Sequence, residues 1–295
     1  MPDRTFIRWI GRHYPLLPWR GRLGFIQGGA DEIPNGEIVM TREGIRVRVL
    51  SDRMYTNVYY WGDYEPFNMK LYRQLVKPGD SVIDVGANFG WFTTCFARWV
   101  GQEGVVHAFE PVPHIYALAE ETVALNGVAN RVQLNREALG TEEGTMAIYT
   151  FAGLPHGHAS ASDLGRDDAT PVPCRVRRLD EYRHERGIDR IQFLKVDVEG
   201  FERDVFIGAR ELLSADEAPI VAFEVNQTCL ESRGLSGTDT LTPLRDAGYT
   251  DFFVFSVRDG VKRAPADIGE GEYLAAKPDR ATELVELART GRLFR

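Results

Sequence analysis

The run Val82-Ile83-Asp84-Val85-Gly86-Ala87-Asn88-Phe89-Gly90 decides the fold. An apolar strand pattern enters a turn holding two glycines, and a stretch of helical periodicity, residues 91–99, follows it. Gly86 and Gly90 let the chain turn tightly and let a ligand approach the backbone. In open α/β sheets, ligands sit beyond the carboxyl ends of strands, where the strand order reverses. This turn is therefore the expected floor of a binding site.

Outward from it, strands and helices alternate. Strand patterns fall at 81–85, 105–109, 132–137, 191–198, 220–225, 252–257 and 273–276, with helical patterns at 91–99, 115–126 and 201–213. Several strands are continuous apolar runs, as expected when both sheet faces are covered. Repeated alternation predicts a mainly parallel, doubly wound sheet with helices on both faces. Before it, Ile38-Val39-Met40, a turn at Arg42-Glu43-Gly44 and Ile45-Arg46-Val47-Arg48-Val49 predict a small β-hairpin, and Pro66 opens a helix reaching Leu75. Between Gly140 and Leu179 the alternation breaks. Two short strand patterns, 146–151 and 174–178, flank residues 152–173, read as one long loop that is either a lid or a disordered insertion.

Asp84 discriminates between ligands. A dinucleotide site uses G-x-G-x-x-G with amides facing a pyrophosphate. Here the spacing is Gly86, Asn88, Gly90, and a carboxylate ends the strand. That charge would repel a diphosphate and attract the ammonium and sulfonium of S-adenosylmethionine. Glu110 ends the next strand and can accept hydrogen bonds from ribose hydroxyls, a feature that nicotinamide sites share. Glu137 and Ala138, at the end of the third strand, should lie near the adenine.

These segments resemble the FkbM-type methyltransferase family. The match lies in Lys77-Pro78-Gly79-Asp80 running into Asp84–Gly90, in Ala108-Phe109-Glu110-Pro111, in Phe193-Leu194-Lys195-Val196-Asp197-Val198-Glu199-Gly200 and in Glu224-Val225-Asn226. It covers about Tyr59 to Asn226. The resemblance implies a Rossmann-like class I methyltransferase fold with a seven-stranded sheet whose last strand is antiparallel. It also implies methyl transfer to a hydroxyl of a sugar, glycan or secondary metabolite. Trp61-Gly62-Asp63-Tyr64-Glu65 resembles the family's lead-in, which would bring Glu65 near the donor. The expected donor-binding set is Glu65, Asp84, Gly86, Asn88, Phe89, Gly90, Glu110, Pro111, Glu137 and Ala138.

At the reacting end, a period of two puts Lys195, Asp197 and Glu199 on one face of the fourth strand. Buried charges there must pair with one another or with a ligand. Asp197 is the first choice for the base that takes a proton from an alcohol acceptor, and it could equally hold the donor's amino group. Glu199 and Lys195 would orient the acceptor or tune Asp197. His156 and His158, in the long loop, are further candidates, with His158 the catalytic one. As metal ligands they are disfavoured, and no metal is expected. Glu224 and Asn226 either line the acceptor pocket or finish their strand.

Composition bounds the rest. The chain has 295 residues, 43% hydrophobic and 26% charged, enough for a sizeable core. A net charge of −8 argues against a nucleic-acid partner. Cys95, Cys174 and Cys229 suit reduced thiols better than a disulfide framework. No apolar run approaches the ~20 residues of a membrane span, and no signal-peptide core is evident, so a cytoplasmic location is expected. Residues 1–36 form a basic aromatic arm in which Arg4, Arg8 and Arg12 share a helix face, packed on the core or lying on an anionic membrane surface. Residues 37–76 would hold the hairpin and helix, 77–280 the methyltransferase domain and 281–295 a helical tail. Two rivals stand beside this reading: a nicotinamide-dependent oxidoreductase and a non-catalytic S-adenosylmethionine-binding module. Oligomeric state is not legible.

Overall fold

The computed structural model describes residues 33–154, 159–256 and 260–290. Most of the basic arm, His156, His158 and residues 291–295 lie outside them. A hairpin of β1 (Ile38–Met40) and β2 (Arg46–Arg48) comes first, followed by α1 (Pro66–Leu75) with proline in its first turn. Then come β3 (Ser81–Val85), α2 (Trp91–Trp99), β4 (Val105–Phe109), α3 (Pro113–Leu125) and β5 (Val132–Asn135). The third strand stops short of the expected Glu137. The chain leaves the sheet there and builds a second one from β6 (Ala138–Leu139), β7 (Gly144–Phe151), β8 (Ala159–Ser160) and β9 (Ala169–Arg177), in the order β6-β9-β7-β8. Residues 152–173 are therefore not one loop, since β8 and the start of β9 lie within them.

The main sheet resumes after α4 (Leu179–Arg186) with β10 (Phe193–Val196). The helix expected over 201–213 is broken into α5 (Glu202–Gly208) and α6 (Arg210–Ser214), because Ala209 leaves helical dihedrals at φ −108°, ψ 15°. Next are β11 (Ile220–Val225), α7 (Gln227–Ser232), α8 (Gly237–Asp246), β12 (Asp251–Ser256), β13 (Gly260–Arg263), β14 (Gly271–Ala276) and α9 (Ala281–Thr290).

The sheet order is β13-β12-β14-β11-β10-β3-β4-β5. The run from β11 to β5 is parallel throughout, and β14 slots antiparallel between β11 and β12. Those are the seven expected strands. An eighth, β13, pairs antiparallel with the β12 edge. Strand order reverses between β3 and β10, so a crevice opens where those two strands end.

Alternation along the strands divides the core. Val82 and Phe193 face α2, while Ile83, Val85, Leu194 and Val196 face the opposite helices. The hairpin and α1 share the first of these cores: Val47, Tyr55, Leu71 and Tyr72 are buried with Phe96 and Phe193, and Leu284 of α9 joins them. Residues 37–76 are thus packed into the same body as the sheet. Among the described residues no helix is long and apolar enough to cross a membrane.

Candidate active site

A cavity of about 480 Å³ lies at the carboxyl ends of β3, β4, β10 and β11. The glycine turn shapes its floor. Gly86 has φ +81°, and a Cβ there would lie 1.8 Å from the Asp197 carbonyl oxygen, so only glycine lets β3 and β10 meet. Gly90 plays the same part against α3, where a Cβ would come 2.9 Å from the Ala119 Cα. Asn88, between them, is left-handed at φ 51°. Glu65 (φ 43°) and Glu199 (φ 51°) are left-handed too, and all three line the cavity. Such conformations cost energy and gather where side chains must be aimed at a site.

The amides of the turn are all engaged within the protein. Gly86 and Ala87 donate to the Phe109 carbonyl at 3.0 and 2.9 Å, and Gly90 donates to that of Ala87 at 2.9 Å. Phe89 donates to Asn88 Oδ1 at 2.8 Å, and Asn88 to Glu110 Oε2 at 3.0 Å. Glu110 Oε1 accepts from Val112 at 3.0 Å. Burial pushes the Glu110 carboxyl up to about 7, against the pull of these two amides.

Seven of the ten expected donor residues line the cavity: Glu65, Gly86, Asn88, Glu110, Pro111, Glu137 and Ala138. Glu137 is held by Arg175 at 3.0 Å and Arg177 at 3.6 Å. Asp84, Phe89 and Gly90 are not in the wall. Asp84, expected to face the donor, is fully buried beneath the turn, where it accepts from Thr93 Oγ1 at 2.6 Å and lies 3.6 Å from Lys195 Nζ. Its carboxyl is raised by burial, an effect that Lys195 and Thr93 partly offset.

Register explains this pair: Lys195 and Asp84 are direct partners across β10 and β3, on the face that α2 covers. Lys195 is itself buried and its ammonium sits 5.3 Å from the centroid of the Phe92 ring. Burial pulls its pKa down, but Asp197, Asp84 and Glu65 outweigh that and keep it charged. Its Nζ also lies 3.1 Å from Asp197 Oδ2. β10 ends at Val196, so the expected single face of Lys195, Asp197 and Glu199 does not continue: Asp197 and Glu199 line the cavity and Lys195 stands behind it.

Glu199 turns away to another partner. Its Oε2 accepts from Asn226 Nδ2 at 2.7 Å, with Cys229 Sγ at 3.9 Å. Burial, then the neighbouring Asp197 charge, pushes Glu199 up to about 7. Glu202 fixes this loop from below, its Oε1 accepting from the Val198 and Gly200 amides at 3.0 and 3.2 Å.

Residues that sequence reasoning missed hold the wall from behind or complete it. Asn68 Nδ2 donates to Glu65 Oε2 at 2.8 Å and to Glu272 Oε1 at 3.0 Å, bridging two carboxylates. Glu272 lies directly across from Glu224 in the β11–β14 ladder, an opposition that like charges normally avoid. Burial and the surrounding carboxylates raise Glu65, Glu224 and Glu272. Tyr64 and Arg53 line the cavity itself. No local pattern marks Glu272, Asn68 or Arg53, because only the sheet order and the packing of α1 bring them here. Among the described residues no His, Cys, Asp or Glu group has the arrangement of a metal site.

A glycine-turn cavity at the reversal point of a class I-type sheet is the setting in which the comparisons fall. Residues 84–250, more than half of the chain, match the methyltransferase FkbM domain, and the chain belongs to that family. It is similar to the 2-O-methyltransferase NoeI of Sinorhizobium fredii, 27% identical over 50% of this chain and 66% of that protein. It is also similar to the 31-O-demethyl-FK506 methyltransferase FkbM of Streptomyces tacrolimicus, 33% identical over 46% of this chain and 62% of that protein. The matched span is thus a little under two thirds of each relative's length. A solved SAM-dependent O-methyltransferase from Thermotoga maritima is a more distant likeness, with 17% identity, 82% of this chain and 76% of that chain covered, and a TM-score of 0.42.

Proposed function

We propose that this chain uses S-adenosylmethionine to methylate a hydroxyl group on a sugar, glycan or secondary metabolite. The observation that carries the choice of donor is the closed glycine turn. Every amide from Gly86 to Gly90 already has a protein acceptor, so none is left to cradle a diphosphate. The charge of the wall supports the same choice. Among the described residues that line the cavity, Glu65, Glu110, Glu137, Asp197, Glu199 and Glu224 are acidic and Arg53 alone is a strong base. Such a wall disfavours a nicotinamide dinucleotide and suits a ligand with ammonium and sulfonium charges.

In this reading Glu110 accepts the ribose hydroxyls, and the wall at Glu137 and Ala138 takes the adenine. Asp197 and Glu65 hold the ammonium end, with Arg53 available for the carboxylate. The bound donor supplies an electrophilic methyl group whose sulfonium leaves with its bonding pair. Glu199 is better suited than Asp197 to be the base: Asp197 is occupied by Lys195, whereas burial tunes Glu199 to about 7, near the working pH of a general base. The acceptor's hydroxyl proton passes to the Glu199 carboxylate. Lys195 is a positioning residue that fixes Asp197 against Asp84. The three buried free thiols suit a reducing compartment, in keeping with a cytoplasmic location.

Calorimetric titration with S-adenosylmethionine, S-adenosylhomocysteine and NADH tests the reading. Binding of the first two and not the third is expected. Tight binding of NADH, with no response to the sulfonium compound, would overturn it.

A further inference from the structure

A second cavity, of about 220 Å³, adjoins the first. Glu199 and Ala159 line both, so the two spaces meet along the carboxylate assigned above as the base. Its roof is the small sheet, with Phe151 at the end of β7 and Ser160 in β8; Leu154 and Leu164 lie in the connections that follow. Its floor is the segment after β11, with Asn226, Thr228 and Cys229. Ser160 of the roof and Cys229 of the floor both line the space between them. Leu164 has φ 53°, so all four left-handed non-glycine residues among those described line one or other of the two cavities.

We propose that this second cavity is the acceptor site and that it takes a single polyhydroxylated six-membered ring, one of whose hydroxyls reaches Glu199. The inference rests on the donor reading of the larger cavity. Size sets the first limit: about 220 Å³ is below the ~300–1,000 Å³ that encloses a whole drug-sized ligand. One ring fits and a polycyclic molecule does not. The lining sets the chemistry. Phe151, Leu154 and Leu164 offer an apolar surface for the C–H face of such a ring, while Ser160, Asn226, Thr228 and Glu270 offer hydrogen-bonding groups for its edge. Thr228 and Glu270 are exposed and mark the mouth, so the remainder of a larger acceptor stays in solvent. The Asn226 and Cys229 contacts of Glu199 both fall on Oε2, which leaves Oε1 for the proton of the incoming hydroxyl.

The test is saturation-transfer NMR on the whole chain, with and without S-adenosylhomocysteine, which holds the donor cavity without turnover. The probes are methyl α-D-glucopyranoside, methyl α-D-mannopyranoside, methyl α-L-rhamnopyranoside and myo-inositol. Transfer to the ring protons of at least one probe is expected. Thr228→Trp, placed at the exposed mouth, should block the cavity and cut that transfer by roughly fivefold or more. The same variant should leave the calorimetric affinity for S-adenosylhomocysteine unchanged, and Arg53→Ala, in the larger cavity only, should leave the probe signal unchanged. Absence of transfer from all four probes, or transfer that Thr228→Trp does not reduce, overturns the inference even when S-adenosylhomocysteine binds. Failure of wild-type protein to bind S-adenosylhomocysteine overturns instead the donor reading, and a Thr228-sensitive probe signal would still support the ring site.

Discussion

In the proposed mechanism Glu199 carries more of the chemistry than its place in the chain suggests. It lies one residue before a glycine, in a left-handed conformation, and its carboxyl is held by an asparagine from the next strand's end. With its carboxyl at about 7, it is the base only in its deprotonated form, so kcat/KM should climb as the pH rises toward about 7 and then level off. Glu199→Gln should lower kcat by about 10²–10⁴-fold, leave donor affinity nearly unchanged and erase that rise. A full pH–rate profile of the variant that keeps the wild-type shape would move the role to Asp197. Glu110, Asn88, Asp197 and Glu199 could be found from sequence because each adjoins a strand end next to a tight turn. Asp84 was legible as important but not as buried, since its partner Lys195 is 111 positions away and meets it only through strand register. Glu272 and Asn68 carry no local signal at all.

The turn of residues 86–90 is the element on which the site depends, because it closes its own hydrogen bonds and lets β3 touch β10. Gly86→Ala places a methyl group against the Asp197 carbonyl in a left-handed backbone, whereas Gly101→Ala has φ +70° with nothing within 4 Å of the new carbon. The first should cost about 1–3 kcal/mol more than the second, measured by urea unfolding, and should also weaken donor binding. Equal costs would mean that the close approach is not what the glycine serves. Elements with long periods were readable to the residue: 81–85, 105–109, 220–225, 66–75 and 91–99 all stand where the pattern put them. The two-residue strands β6 and β8 and the four-residue β13 are too short to show a period, and they take their pairing from neighbours. That is why the stretch between the two strand patterns of the second sheet, where β8 lies, reads as a loop.

At the scale of the whole molecule, the protein stores carboxyl groups that keep their protons unusually long. Burial raises Glu110, Glu199 and Glu202 to about 7, from an ordinary value of 4.5. A raised carboxyl favours the folded state while it stays protonated. That contribution is fully present below pH 4.5 and is lost as the pH climbs toward about 7, where the folded groups release their protons too. The unliganded protein should therefore melt at a lower temperature at pH 8 than at pH 6, and scanning calorimetry across that interval checks the sign. A midpoint that rises instead would show that paired carboxylates elsewhere dominate. The two acids that Asn68 bridges, Glu65 and Glu272, carry a further consequence for how the donor is taken up. A cation entering that chamber should expel hydrogen ions into the surrounding buffer, so its measured heat of uptake will change with the buffer's own ionisation heat. Acidification would then act as a competitor of the methyl donor, though the two share no atom in common.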